Sequence, residues 1–325
     1  MAGFSQLPIS LTKKSPPVIL LTNFVLNYKG LENSPRHQHP KKGANMAGHA
    51  KSKGRPFVKM HGTGNDVILF DCLHHTFQNP PHLARKLCNR HTGIGADQMV
   101  LLLKSSKQDF AMRIFNADGS EAEMCGNGIR CLARYIKDAG ISAKKELMID
   151  TPAGVRKIKH SGKLIEVDMG EPVMKGKDIP VNLSGRIINR PLKTETKEFR
   201  ITCLSMGNPH CVTYHDDLAS APVERFGPLL ENHSIFPRRA NISFVNVISK
   251  SEIHMRVWER GTGETLACGT AACASAVASV LNGYTDRKVI VVLPGGKLEI
   301  EWNQKDNRVY MRGPAETVFK GEIII

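Results

Sequence analysis

The stretches Glu121-Ala122-Glu123-Met124-Cys125-Gly126-Asn127 and Glu264-Thr265-Leu266-Ala267-Cys268-Gly269-Thr270 share one form, Glu-x-x-x-Cys-Gly-polar, and lie 143 residues apart. Each leads into a helical pattern. After Cys125 the apolar residues Ile129, Leu132, Ala133 and Ile136 recur at i, i+3, i+4 and i+7, with Arg130, Arg134 and Lys137 between them and Gly140 as a stop, which predicts an amphipathic helix. After Cys268, Ala271 to Leu281 is small and apolar on every side except at Ser275 and Ser279, and Gly283 can end it. Such a helix belongs inside its domain. The simplest reading is two similar halves, each presenting one cysteine at a helix N-terminus, with the site in the cleft between them.

The unpaired N–H groups and the dipole at a helix start stabilise a thiolate, and the same N–H groups bind a carboxylate. Two such starts facing one cavity would grip the α-carboxylate of an amino acid while a sulfur sits on each face of its α-carbon. One thiolate removes the α-proton as the opposite thiol delivers another, with neither pyridoxal phosphate nor metal, provided that water is excluded and fixed donors hold the developing charge. The two thiols must differ in protonation. His210, in Met206-Gly207-Asn208-Pro209-His210, and Glu259, in Val257-Trp258-Glu259-Arg260-Gly261, are polar residues in glycine-bearing loops that can set that difference. The other cysteines, Cys72, Cys88, Cys131, Cys203, Cys211 and Cys273, read as small buried hydrophobes.

Around these segments the chain alternates strand and helix patterns, a mixed α/β protein, with strands predicted at Phe110–Phe115, Leu147–Thr151, Leu164–Met169, Phe244–Ile248, His254–Trp258, Val289–Leu293 and Leu298–Trp302. Its 325 residues suggest two domains. Of the net charge of +15, residues 1–55 contribute nine Lys/Arg against one Glu, so the rest of the chain is only mildly basic. Such a body suits an anionic substrate as well as nucleic acid, and the chain has no basic stripe interleaved with aromatics, which argues against nucleic acid as a partner. No pair of cysteines has C-x-x-C spacing, which disfavours zinc and dithiol redox chemistry, and no apolar run is long enough to span a bilayer. Residues 1–55, with paired prolines and Arg36-His37-Gln38-His39-Pro40, read as a disordered basic extension; their composition fits a targeting peptide or a start codon assigned upstream of Met46.

From about Phe57 to Ile325 the chain resembles the diaminopimelate epimerase family. The resemblance rests on Lys59-Met60-His61-Gly62-Thr63-Gly64-Asn65-Asp66, Gly93-Ile94-Gly95-Ala96-Asp97-Gln98, Phe115-Asn116-Ala117-Asp118-Gly119-Ser120, Met124-Cys125-Gly126-Asn127-Gly128, Met206-Gly207-Asn208-Pro209-His210, Glu259-Arg260-Gly261 and Cys268-Gly269-Thr270, in that order. It implies two pseudo-symmetric α/β domains, each a curved mixed sheet wrapped around a central helix. Residues 56–168, joined by 314–325 returning to them, would form the first and residues 169–313 the second. It further implies Cys125 and Cys268 as the acid–base pair, with His210 and Glu259 tuning them. Gly126, Asn127, Gly269 and Thr270 would hold the reacting carboxylate. Asn65, Gln98, Asn116, Asn208, Asn241, Glu259 and Arg260 would line the pocket for a substrate whose far end is also an amino acid. The resemblance implies neither cofactor nor metal. The compartment expected is the cytoplasm, or a plastid if the extension is a transit peptide; a homodimer is compatible with the sequence, which carries no signal of oligomeric state.

Two positions depart from the family pattern. Val67 stands where an aromatic is usual, and Ala271 replaces the second glycine of Cys-Gly-Thr-Gly, a change that favours the helix while adding a methyl near the carboxylate-binding N–H groups. Activity is expected to survive both. The competing readings are a proline or hydroxyproline epimerase, disfavoured by Glu259-Arg260-Gly261 and the pocket asparagines, and a phenazine-type isomerase, which generally lacks the cysteine pair. From other classes come a thiol redox or metal-binding protein and a binding module without turnover.

Overall fold

The computed structural model describes residues 54–324, together with the backbone of Val25 and Leu26, which pair parallel with Glu322 and Ile323. The expected disorder of the N-terminal extension thus falls almost wholly outside the described residues. Four helices follow: α1 (Pro80–Cys88), α2 (Gly126–Asp138), α3 (Val223–Glu231) and α4 (Gly269–Leu281). The sheet is built in two halves with the same succession of partners. In the first half the strands pair in the order 316–323, 55–62, 65–71, 98–103, 110–116, 146–150, 156–161 and 164–170. In the second the order is 187–193, 198–205, 209–214, 241–249, 252–259, 288–293, 296–302 and 309–313. Strands 164–170 and 309–313 pair antiparallel and join the halves into one mixed sheet. The third-to-fourth and fifth-to-sixth pairings are parallel in both halves, and the rest are antiparallel.

The repeat keeps a constant register. Strand 55–62 corresponds to 198–205, α1 to α3, strand 110–116 to the end of strand 252–259, and α2 to α4, all displaced by 143 positions. Even a surface ion pair recurs, Arg113–Glu121 in one half and Arg256–Glu264 in the other. One strand breaks the pattern: the edge position held by 187–193 in the second half is filled in the first by the C-terminal strand 316–323.

Helices α2 and α4 are the central helices, and their buried faces share one hydrophobic core with strands from both halves. Smaller cores lie outside the sheet, under α1 and under α3. The composition of α4 explains its place. Alanines 271, 272, 274, 276 and 278 let strands approach from all sides, and of the two buried hydroxyls that of Ser279 bonds to the Ser275 carbonyl at 2.8 Å and to Tyr214 at 3.3 Å, while that of Ser275 has no partner among the described residues. Burial of this kind is driven by removal of apolar surface, worth about 25 cal/mol per Å². Helix α2 is amphipathic as expected with one correction. Arg134 and Lys137 face outward, but Arg130 is fully buried, because its guanidinium finds acceptors inside the molecule.

Candidate active site

Cys125 and Cys268 are the N-caps of α2 and α4 and have nearly the same extended backbone, φ −137° and ψ 116° against φ −130° and ψ 115°. The Cys125 sulfur accepts the Gly128 N–H at 3.3 Å, taking the place of a capping oxygen. The Cys268 sulfur lies 3.5 Å from the Thr270 hydroxyl. The two helix starts abut through their glycines, with the Met311 side chain against both. Being the first N–H groups of their helices, those of Gly126, Asn127, Gly269 and Thr270 have no partner within the helix. Two positive helix ends therefore converge on one place.

The polar residues around them are strand ends used twice. Asn65 and Asn208 precede or open equivalent strands, Gln98 and Asn241 open the next pair, and Asn116 and Glu259 close the pair after that. Each couple is 143 positions apart, the separation of the two cysteines. Asn65 donates to Asp97 at 2.9 Å, which turns its carbonyl oxygen towards Cys125, 3.6 Å from the sulfur. Gln98 donates to Asn116 at 2.9 Å and leaves its own buried Oε1 without a protein partner. Asn208 donates to the Thr270 hydroxyl at 3.4 Å and accepts from His210 Nε2 at 2.8 Å. A polar chain thus runs from His210 through Asn208 and Thr270 to Cys268.

Not every expected residue is aimed at a ligand. The Asn241 amide is occupied by backbone, donating to the Pro209 carbonyl and accepting the Arg260 N–H at 3.0 Å, so it holds the Arg260 loop in place. Asn127 accepts from Arg130 at 2.9 Å and donates to the Ala267 carbonyl at 3.4 Å, which ties α2 to the residue before Cys268. The Arg260 guanidinium is exposed and makes one bond, to the Arg238 carbonyl. Ala271 is fully buried, and its first-half counterpart Gly128 has only ordinary van der Waals distances where a methyl would go, so the departure from the family pattern is sterically mild. Val67, the other departure, is buried at the position equivalent to His210.

Burial pushes both thiols up, because the thiolate is the form that loses hydration. The opposing influences differ. The N–H groups of Gly128 and Asn127 draw Cys125 back down, with Glu259 raising it and Arg130, by less, lowering it, whereas at Cys268 the carboxylate of Glu259 is second only to burial in driving the thiol up. Burial also raises Glu259 itself, although the Thr265 hydroxyl donates to it at 2.6 Å. His210 is lowered to about 3, by burial first and then by the charge of Arg260, so it is neutral. With Nε2–H bound to Asn208 Oδ1, the buried Nδ1 is a free acceptor.

Four contributors escape the sequence reading: Thr63, Asp97, Arg130 and Thr265. Extending the 143-residue echo beyond the cysteines would have found part of the ring, since Asn65/Asn208 and Gln98/Asn241 repeat at the same spacing. Nothing comparable marks Arg130, whose spacing on α2 is that of a solvated cation.

The diaminopimelate epimerase family model matches residues 57–175 and 202–318, one segment in each half. The diaminopimelate epimerase of Acetivibrio thermocellus is 51% identical over 273 residues, which cover 82% of this chain and 98% of that protein. Among solved structures, a phenazine biosynthesis protein of the PhzF family from Bacillus anthracis aligns with a TM-score of 0.63 at 19% identity, over 84% of this chain and all of its own. A probable proline racemase from Agrobacterium radiobacter, solved with bound carbonate, gives 0.63 at 12% identity over 82% of this chain and 92% of its own. At those identities the structures share the fold.

Proposed function

The chain belongs to the diaminopimelate epimerase family, and from that premise we propose that Cys125 and Cys268 are the acid and base that invert one α-carbon of diaminopimelate. The enzyme is an amino-acid isomerase of lysine biosynthesis, converting the LL to the meso form. What carries the assignment of the two thiols is the meeting of Gly126 with Gly269, which opposes two cysteine-capped helix starts.

The α-carboxylate of the reacting end takes the first N–H groups of both helices, Gly126 and Asn127 on one side and Gly269 and Thr270 on the other. A thiolate removes the α-proton, and the electron pair moves into that carboxylate, where the fixed N–H donors stabilise it. The opposite thiol then protonates the other face of the carbon. Atoms and charge balance within the pair: the thiolate becomes a thiol, the thiol becomes a thiolate, and solvent restores the starting arrangement before the next turnover in the same sense. His210 and Glu259 act through the second cysteine, one by way of Asn208 and Thr270, the other by its charge. The exposed guanidinium of Arg260, with Asn65, Gln98, Asn116 and Asn208, reads the far amino-acid group, and Asn241 keeps the Arg260 loop in position.

Among the described residues no helix is long and apolar enough to cross a membrane. A metabolite substrate and a need for two reduced thiols favour the cytoplasm as the compartment. Proton exchange in D2O, followed by NMR with reductant present, tests the reading on LL-diaminopimelate, proline and hydroxyproline. Exchange and epimerisation of diaminopimelate alone, lost in both Cys125→Ala and Cys268→Ala, is the expected result. Exchange of a proline instead would overturn the substrate, and activity surviving in either variant would overturn the thiol pair.

A further inference from the structure

Among the described residues Arg130 is the largest fully buried side chain, with 0% of its surface exposed. Its guanidinium donates to the Gly126 carbonyl at 3.2 Å, Asn127 Oδ1 at 2.9 Å, the Thr63 hydroxyl at 3.3 Å and the Pro314 carbonyl at 3.2 Å, and touches the Met311 sulfur at 3.6 Å. Every partner is neutral. Among the described residues no carboxylate forms an ion pair with it, although burying an uncompensated charge is among the costliest arrangements a fold can hold. The slot is shaped for this group. A methyl on Gly62 would lie 2.9 Å from Nη2, and one on Gly313 would lie 3.0 Å from Nε, so glycines on strands from both halves make room for it.

The repeat shows what is particular to this position. At the equivalent place on α4 stands Cys273, and at the position equivalent to Glu259 stands Asn116. At these two equivalent places the first half thus has a buried cation and an amide, and the second half a thiol and a half-buried acid. We propose that Arg130 is the positioning residue that makes the two thiols unequal, its charge compensated by Cys125 as the resting thiolate while Cys268, beside Glu259, keeps its proton. This inference rests on the two-thiol reading above and goes further by assigning the resting charge.

Of the thiols that act on Arg130, Cys131, Cys125 and Cys273, Cys125 is the one whose sulfur accepts the Gly128 N–H of the α2 start, at 3.3 Å. Cys131 on the same helix and Cys273 on α4 are each pushed up to about 12 by burial and remain neutral, and Thr63, Met311 and Pro314 do not ionise. Glu259, from the second half, raises Cys125 by more than Arg130 lowers it and raises Cys268 more prominently still, so Glu259 bears on both thiols and Arg130 on Cys125 alone. A guanidinium stays protonated at any pH the fold tolerates, so the device does not switch off in the working range.

The test is the pH dependence of alkylation by iodoacetamide, with Cys125 and Cys268 quantified separately by peptide mass spectrometry, in the wild type, Arg130→Met and Arg130→Lys. In the wild type Cys125 should react with the lower pH midpoint. In Arg130→Met that midpoint should rise by at least about one unit, a tenfold loss of thiolate at fixed pH, while that of Cys268 stays in place, and Arg130→Lys should restore most of the difference. A lower midpoint for Cys268 in the wild type overturns the proposal without any variant having to fold. An unmoved Cys125 in a natively folded Arg130→Met, or equal shifts at both cysteines, reduces Arg130 to a structural staple and also overturns it. Wild-type exchange of the diaminopimelate α-proton is measured on the same preparation. If it fails, the two-thiol reading falls; if it succeeds while the alkylation order is wrong, only the assignment to Arg130 falls.

Discussion

A methyl group on Gly126 would stand 3.8 Å from the Cα of Gly269, and one on Gly269 would stand 3.6 Å from the Cα of Gly126. The N-termini of the two central helices therefore meet backbone to backbone, and a methyl at either position would crowd the Met311 side chain rather than the facing helix. A cleft floor made this way presents N–H groups from both halves to a single anion.

Substituting Gly269→Ala tests that contact. The new methyl would lie 3.1 Å from the Met311 sulfur, and a flexible methionine can yield, while alanine is the better helix former. Thermal unfolding should show a stability change within about 1 kcal/mol. Turnover should fall at least tenfold, because the methyl occupies the floor between the two helix starts where the carboxylate is to lie; unchanged turnover would mean that this floor is not part of the site.

The repeated ion pair gives a comparison of two like residues in unlike surroundings. Arg113 and Glu121 retain 44% and 35% side-chain exposure, against 27% and 24% for Arg256 and Glu264. Arg256 also donates to the carbonyls of Leu218 and Ala221, at 2.9 and 3.1 Å. Arg113→Ala should cost no more than about 0.5 kcal/mol and Arg256→Ala about 2 kcal/mol in denaturant unfolding, the larger loss coming from carbonyls left unpaired. Equal losses would contradict this.

Protonation of His210 opposes folding, since its value falls from an ordinary 6.5 to about 3 in the native state. Below 6.5 the unfolded chain takes up the proton first. The stability associated with this residue is thus complete above about 6.5 and is lost as the pH falls from there towards 3. The same sign applies to His160 and His215, which burial also lowers. Replacing His210 by Gln should therefore flatten, without abolishing, the decline of stability with acid in urea titrations; a decline as steep as the wild type would show that His210 does not contribute.

Activity should follow a bell in pH. Protonation of the Cys125 thiolate sets the acid limb, and loss of the Cys268 proton sets the alkaline one. Because burial and then Glu259 hold Cys268 well above its ordinary value, Glu259→Gln should move the alkaline limb of kcat/KM to lower pH. A limb that stays in place would remove Glu259 from the tuning of Cys268.

How much of this was legible in the sequence depended on which faces of a strand are covered. Strands 164–170 and 296–302 alternate buried and half-buried residues and are apparent as strands from the pattern alone. Strands 55–62, 65–71, 198–205 and 209–214 are buried on both faces for four or more consecutive residues, which erases the alternation. Strand 156–161 has a single buried position, and 187–193 contains Pro191, so neither reads as a strand. The cysteine-capped helix starts were apparent because Cys-Gly followed by a helical pattern is a local signal. Arg130 was not, since the acceptors that bury it, from Thr63 to Pro314, are distant in the chain.

The most direct test of the two-thiol mechanism is initial-rate turnover of LL-diaminopimelate in D2O, with the isotopic content of product and of recovered substrate read separately. Two bases on opposite faces predict deuterium at the inverted carbon of the product from the first turnovers, while the remaining substrate still carries protium. Deuterium entering substrate and product at the same early rate would mean that one group serves both faces, and would contradict the assignment of Cys125 and Cys268 as a pair.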